Sequence, residues 1–120
     1  MSNPYLETYL ESLGSPDYKE IVLRIEALSR RKRERMSELI RNQYDATEYE
    51  PDTQDFAVWD QKVRPFRRAI FVVLGILDRH SVIHYTTLTP DVARRVKTLL
   101  DQLEAAESAS DVTEFPREEG

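Results

Sequence analysis

A chain of 120 residues with 17 Lys and Arg against 22 Asp and Glu, net charge −5, is one domain's worth of polypeptide, since domains most often run to about 100 to 150 residues. Hydrophobic residues at 40%, charged residues at 32%, 3 Gly and 6 Pro make a globular composition and exclude fibrous and low-complexity classes. The absence of Cys excludes disulfides, thiolate metal sites and a Cys nucleophile, and fits a reducing, cytoplasmic setting.

The chain opens without the cationic start and apolar run of a signal peptide. Asn3 is a capping residue, Pro4 suits a first helical position, and Tyr5, Leu6, Tyr9, Leu10 and Leu13 recur at helical spacing until Gly14. A short helix is expected there. Ser15 and Pro16 start the next helix at once, with Asp17 and Glu20 near the positive end of its dipole. Tyr18, Ile21, Val22, Ile25, Leu28, Met36, Leu39, Ile40 and Gln43 then share one face at a 3.6-residue period, and no Gly or Pro interrupts 17–50. The pattern predicts one long helix over about 16–45, with a length of roughly 45 Å at 1.5 Å per residue.

Inside that helix stand Arg30, Arg31, Lys32, Arg33 and Arg35, five cations in six residues. On a helical wheel Lys32 falls in the apolar stripe, Arg33 and Arg35 flank it, and Arg30 and Arg31 point outward. Two turns therefore lack an apolar anchor and cannot enter a dry core on that face. One reading is a solvated helix middle laced by local pairs such as Glu26 with Arg30, Arg31 with Glu34 and Glu38 with Arg41. The other is an anion- or partner-binding site, because arginine suits bidentate contact with carboxylate or phosphate. The net acidity works against nucleic acid. An acidic protein surface fits better, and the run 45–60, with six acidic residues and no basic one, supplies such a surface from the same chain or a second copy.

Pro51 makes 45–60 a loop leading into a helix capped by Asp52 or Thr53 and striped by Phe56, Trp59 and Val63. Pro65 either kinks that helix or opens a new one. From Ala69 to Leu77 the chain is apolar on nearly every side, and such a helix must be buried all round. Either it is the centre of the domain, or Ile70, Phe71, Val72, Val73 and Ile76 form an oligomer interface. Those 9 residues are about half a membrane span, so no membrane partner is expected.

Ser81 to Leu88 reads as an extended connector or short strand. His80 and His84 stand four apart, a ligand spacing, but without an HExxH pattern or a third His they read as surface or capping residues, and no metal is expected. Thr89 caps a last helix opened by Pro90 and Asp91 and striped by Val92, Val96, Leu99, Leu100 and Leu103. After about Glu107 the sequence is polar and acidic, so a single helical domain, 1–107, is expected to be followed by a disordered acidic tail, 108–120.

The stretch FVVLGILDRH, Phe71 to His80, resembles the helix that opens a winged helix-turn-helix domain, and DVARRVKTLLDQLEAA, Asp91 to Ala106, is similar to a recognition helix. The resemblance implies exposed Arg94, Arg95 and Lys97. The chain departs from the pattern where SVIHYTTLTP replaces the scaffold helix and where no two-stranded wing follows, so membership of that family does not follow.

The fold expected from these elements is an all-α bundle of four to five helices. There is no Gly-rich phosphate loop and no GxSxG, and no catalytic residue or cofactor is assigned. The leading functional expectation is a non-enzymatic helical interaction module, an adaptor or small assembly subunit that meets a protein partner and associates with itself. The second is a nucleic-acid-associated or regulatory protein that uses Arg30 to Arg35.

Overall fold

A computed structural model of the chain describes residues 16–78 and 88–116. They form five α-helices and a 3₁₀ turn: α1 Pro16–Ala27, α2 Arg30–Ala46, α3 Phe56–Lys62, α4 Arg64–Leu77, α5 Pro90–Ala105, and the turn Ala109–Asp111. No strand occurs among the described residues. The short helix expected over 5–13, most of the connector 81–88, both histidines and residues 117–120 lie outside them.

The bundle is built around α4, which touches each of the other four helices. Ala69, Ile70, Val72, Val73, Leu74 and Leu77 cover a little over half of its circumference and all six are buried, while Arg68 and Phe71 stand on the open side, so the helix is not buried all round as its apolar run implies. Pro65 opens this helix in its first turn, and α3 and α4 meet at Val63 with no intervening loop. From α5 the core receives Val92, Ala93, Val96, Leu99, Leu100 and Leu103. These are the five positions of the expected stripe plus Ala93. Each fully buried Val, Leu or Ile contributes about 1.5–3 kcal/mol. Thr89 starts α5 as read from sequence, its hydroxyl accepting from the Val92 N–H at 3.3 Å.

The single long helix over 16–45 is instead two. Ser29 leaves helical geometry at φ −61°, ψ 157°, and its side chain accepts from the Lys32 N–H, capping α2. The break answers the packing conflict in the cationic stretch. A continuous helix would press Lys32 against the core, whereas the new helix delivers Met36, Leu39 and Ile40 to it and leaves Lys32 partly exposed.

The C-terminal stretch is also not a free tail as far as Pro116. Ser108 and Asp111 form a capping box around the 3₁₀ turn, and Ala109, Val112 and Phe115 are buried. Val112 and Phe115 join the main core cluster with residues of α1, α2, α4 and α5. Two apolar side chains thus bring an acidic segment back over the two turns of α2 that lack apolar residues.

Ion pairs bracket the α1–α5 contact. The Arg24 guanidinium meets Asp101 at 2.5 Å and Glu104 at 2.9 Å, and Lys97 meets Asp17 at 2.5 Å. Hydrogen bonding from Glu104, aided by Asp101, holds Arg24 charged. Asp17, through its hydrogen bond and then its charge, raises Lys97 above the ordinary lysine value. A lysine whose folded-state pKa exceeds its unfolded value adds stability that is complete below the unfolded value and disappears as pH rises through the folded one. The stability gap between wild type and Lys97→Met should therefore persist at neutral pH and shrink in urea melts as pH rises past the ordinary lysine value, near 10.4.

Replacing Phe115 tests the returning segment. Phe115→Ala should lower the unfolding free energy by about 3 kcal/mol in urea denaturation followed by circular dichroism, the low end for a buried phenylalanine. A change within about 0.5 kcal/mol, ordinary for a surface position, would show that the segment does not pack.

Candidate interaction surface

The five cations begin α2, where the positive end of a helix dipole disfavours them and no acidic residue stands in the first turn. What they touch explains their tolerance. Arg33 donates through Nη2 to the carbonyls of Ile25 and Glu26, both at 3.4 Å, in the last turn of α1. Lys32 Nζ reaches the Glu104 carbonyl at 3.4 Å, near the end of α5. Arg35 donates through Nε and Nη2 to the Val112 carbonyl, the former at 2.9 Å, and through Nη1 to Glu38 at 2.9 Å. Helix C-termini leave carbonyls unsatisfied and favour cations, so these contacts offset the unfavourable start of α2.

Three of the five cations are thus occupied by the chain's own backbone. The remaining two face solvent. Arg30 is 93% exposed and pairs with Glu34 at 3.2 Å, and Arg31 is exposed. The acidic run cannot cover them within one molecule, because it follows the opposite end of α2, about 25 Å away for 17 residues.

Of the expected interface residues, Ile70, Val72 and Val73 are fully buried in the chain's own core and Ile76 is partly buried. They present no surface to a second molecule, because α1, α2, α3 and α5 already pack against α4. Phe71 alone stands out, at 55% exposure. The cations of α5 are also engaged: Arg94 and Arg95 pair with Asp91 at 2.6 and 3.2 Å, Arg95 also lies over the Phe66 ring at 4.9 Å, and Lys97 is held by Asp17. Such a helix does not present the free basic face that the recognition-helix resemblance implies.

A different surface emerges around the C-terminal end of α2. Helix α3 buries none of its residues, and Phe56 and Val58 are 55% and 51% exposed. The rings of Tyr49, Phe56 and Trp59 form a triad, with centroids 5.3 Å apart for Tyr49 and Phe56, 5.4 Å for Tyr49 and Trp59, and 6.1 Å for Phe56 and Trp59. Trp59 is anchored by donating its indole N–H to the Thr47 carbonyl at 3.0 Å. Asp55 caps α3 by accepting from the Val58 N–H at 3.1 Å, displacing the expected cap by a few residues. Glu50 and Gln54 close the loop, with the Glu50 N–H donating to the Gln54 side chain and the Gln54 N–H to the Glu50 carbonyl.

One end of this surface reaches α4. Tyr44 packs on Phe71 at 6.1 Å, while Arg67 lies 3.8 Å over the Tyr44 ring and donates to the Tyr44 carbonyl at 3.1 Å. The sequence showed the acidity of this region and the stripe of α3. It did not show that the stripe would stay outside, since periodicity marks an apolar face without saying what covers it.

A shallow groove of about 500 Å³ runs between the end of α5 and the returning segment, lined by Gln102, Ala105, Ala106, Asp111, Val112, Thr113, Glu114 and Pro116. It offers two carboxylates and a hydroxyl. Among the described residues no three of His, Cys, Asp and Glu gather closely enough to hold a metal ion, and no helix is long and apolar enough to cross a membrane. Compared with known proteins, the chain matches no family model, no curated protein and no solved structure.

The two halves of the basic block separate by mutation. Arg35→Gln should cost about 1.5 kcal/mol in urea denaturation, the low end for hydrogen bonds made by a charged donor. The double variant Arg30→Gln, Arg31→Gln should stay within about 0.5 kcal/mol of wild type. Equal losses in the two would overturn this division of roles.

Proposed function

We propose that this chain is a non-enzymatic helical interaction module that receives another protein on the face made by residues 45–60, α3 and Phe71 of α4. The observation that carries the reading is the exposure of Phe56, Val58 and Phe71, each more than half open, when the other large apolar residues among the described ones, Leu23 apart, are drawn inward. A lone exposed apolar side chain needs no explanation, but Phe56 standing open beside the rings of Tyr49 and Trp59 makes an aromatic patch of the kind that marks docking surfaces. Helix α3 contributes nothing to the buried core, so its aromatic residues are not retained for folding. Tyr and Trp supply large, rigid contact area, which is why they dominate the energetics of protein interfaces.

Of the residues that motivated self-association, Ile70, Val72 and Val73 lie inside α4's own packing, while Phe71 stays open. The nucleic-acid reading relied on five cations, of which Arg30 and Arg31 are left to face a ligand. The cytoplasmic setting expected from the sequence goes with the interaction reading.

The experiment is an affinity capture from the protein's own cells, using wild type and the double variant Phe56→Ser, Phe71→Ser, each with and without nuclease. Proteins retained by wild type should survive nuclease and be lost with the variant, whose helical circular dichroism should match wild type because neither side chain belongs to the buried core. Retention that nuclease abolishes, or that the variant leaves intact, would overturn the reading.

A further inference from the structure

We infer that the occupant of this face is a basic amphipathic segment of another protein, carrying arginine or lysine beside apolar side chains. The inference rests on the docking reading above and adds the partner's chemistry. Its first ground is charge. Asp60 is paired with Arg64 at 2.6 Å, whereas Asp45, Glu48, Glu50, Asp52 and Asp55 have no ion-pair partner among the described residues. At the α1–α5 contact the chain sets cations against its carboxylates, at Arg24 and Lys97. Here five carboxylates stand without one within eleven residues, with Tyr49 among them and Phe56 directly after them in sequence.

The second ground is the aromatic chemistry of the same surface. Ring faces attract cations through their quadrupole, and Arg67 over Tyr44 shows one guanidinium already seated at this end of α2. Phe56 lies 29° from parallel to Trp59 and keeps more than half its surface open, so a partner's cation can approach the ring with Asp52 and Asp55 nearby in the chain. Apolar contact with Phe56 and Val58 then supplies what charge alone does not.

A second copy is the competing occupant. Its exposed cations among the described residues include Arg30 and Arg31, whose neighbours Glu34 and Glu38 are charged and exposed, and Lys62, Arg64 and Arg68 on α3 and α4, of which Arg64 is paired with Asp60. Two copies of a chain of net charge −5 repel at long range, so a cationic segment of another protein fits better.

Trp59 is the only Trp and belongs to the triad, so its emission reports occupancy directly. The full chain would be titrated with three synthetic peptides: helical leucine–arginine, helical leucine–glutamate and flexible glycine–arginine. The leucine–arginine peptide should give a saturable shift that weakens with salt, and the other two should give none at the same concentration. In calorimetry Phe56→Ser should abolish binding. The triple variant Asp45→Asn, Glu48→Gln, Asp52→Asn should weaken it about tenfold, the combined effect of three exposed charge contacts. No saturable response to the leucine–arginine peptide overturns the inference. An equal response to leucine–glutamate overturns the charge preference and leaves the docking reading standing, whereas an equal response to glycine–arginine overturns both. A Trp59 shift on concentrating the protein alone identifies a second copy as the occupant.

Discussion

Backbone carbonyls at helix C-termini, each met by a cation from another part of the chain, tie the elements of this fold together. Arg33 reaches the end of α1, Lys32 the end of α5 and Arg67 the end of α2. The last turns of α2 and α5 contain no basic residue of their own, so the dipole of each is met from outside. A guanidinium without an acceptor is costly once water is restricted, and these carbonyls supply acceptors for Arg33 Nη2, Arg35 and Arg67, although Arg33 Nε is buried without a hydrogen-bond partner among the described residues. The consequence is positional. Ser29 breaks the long helix at the place where Arg33 can turn back to α1 and Arg35 can hold Val112.

This arrangement decides what remains outside. Cations spent on internal carbonyls no longer balance the acidic residues at the surface, and the chain, net −5, leaves five carboxylates without an ion pair among the described residues from Asp45 to Asp55, a stretch with no basic residue. The segment 45–60 also carries aromatic residues that the core does not use, because α3 lies on α4 as an outer layer. Charge and apolar surface therefore coincide on one face through a common cause, which is that the interior was completed without them.

Much of the architecture was legible in the sequence, and the exceptions have physical reasons. The stripes of α4 and α5 were readable because every buried position repeats at helical spacing, and Thr89 and Pro90 mark their helix start chemically. The break at Ser29 was hidden because the apolar phase resumes at Met36 as though the helix were continuous. Its local signal was the capping residue Ser29 itself, placed directly before cations that a helix start tolerates poorly. Val112 and Phe115 were overlooked because two apolar residues in an acidic stretch make no periodic pattern. They hold the segment by completing a core built elsewhere. The candidate face was half legible: the acidity of 45–60 and the stripe of Phe56 and Trp59 were visible, while their exposure depended on α4 being covered from other sides.

The contrast between the two charged regions bears on specificity. Cations that face carbonyls in the interior act at contact distance and are insensitive to salt, since little solvent lies between the charges. Carboxylates standing in solvent around an apolar patch act over a Debye length, about 10 Å at moderate ionic strength, so they steer an approaching partner before any apolar contact forms. Phe56 and Val58 act only after water is expelled, and they govern how long a partner stays. The division suits a surface that meets a cationic segment quickly and selects among such segments by their apolar side chains. It also works against the chain pairing with itself, since two copies of net charge −5 repel at long range.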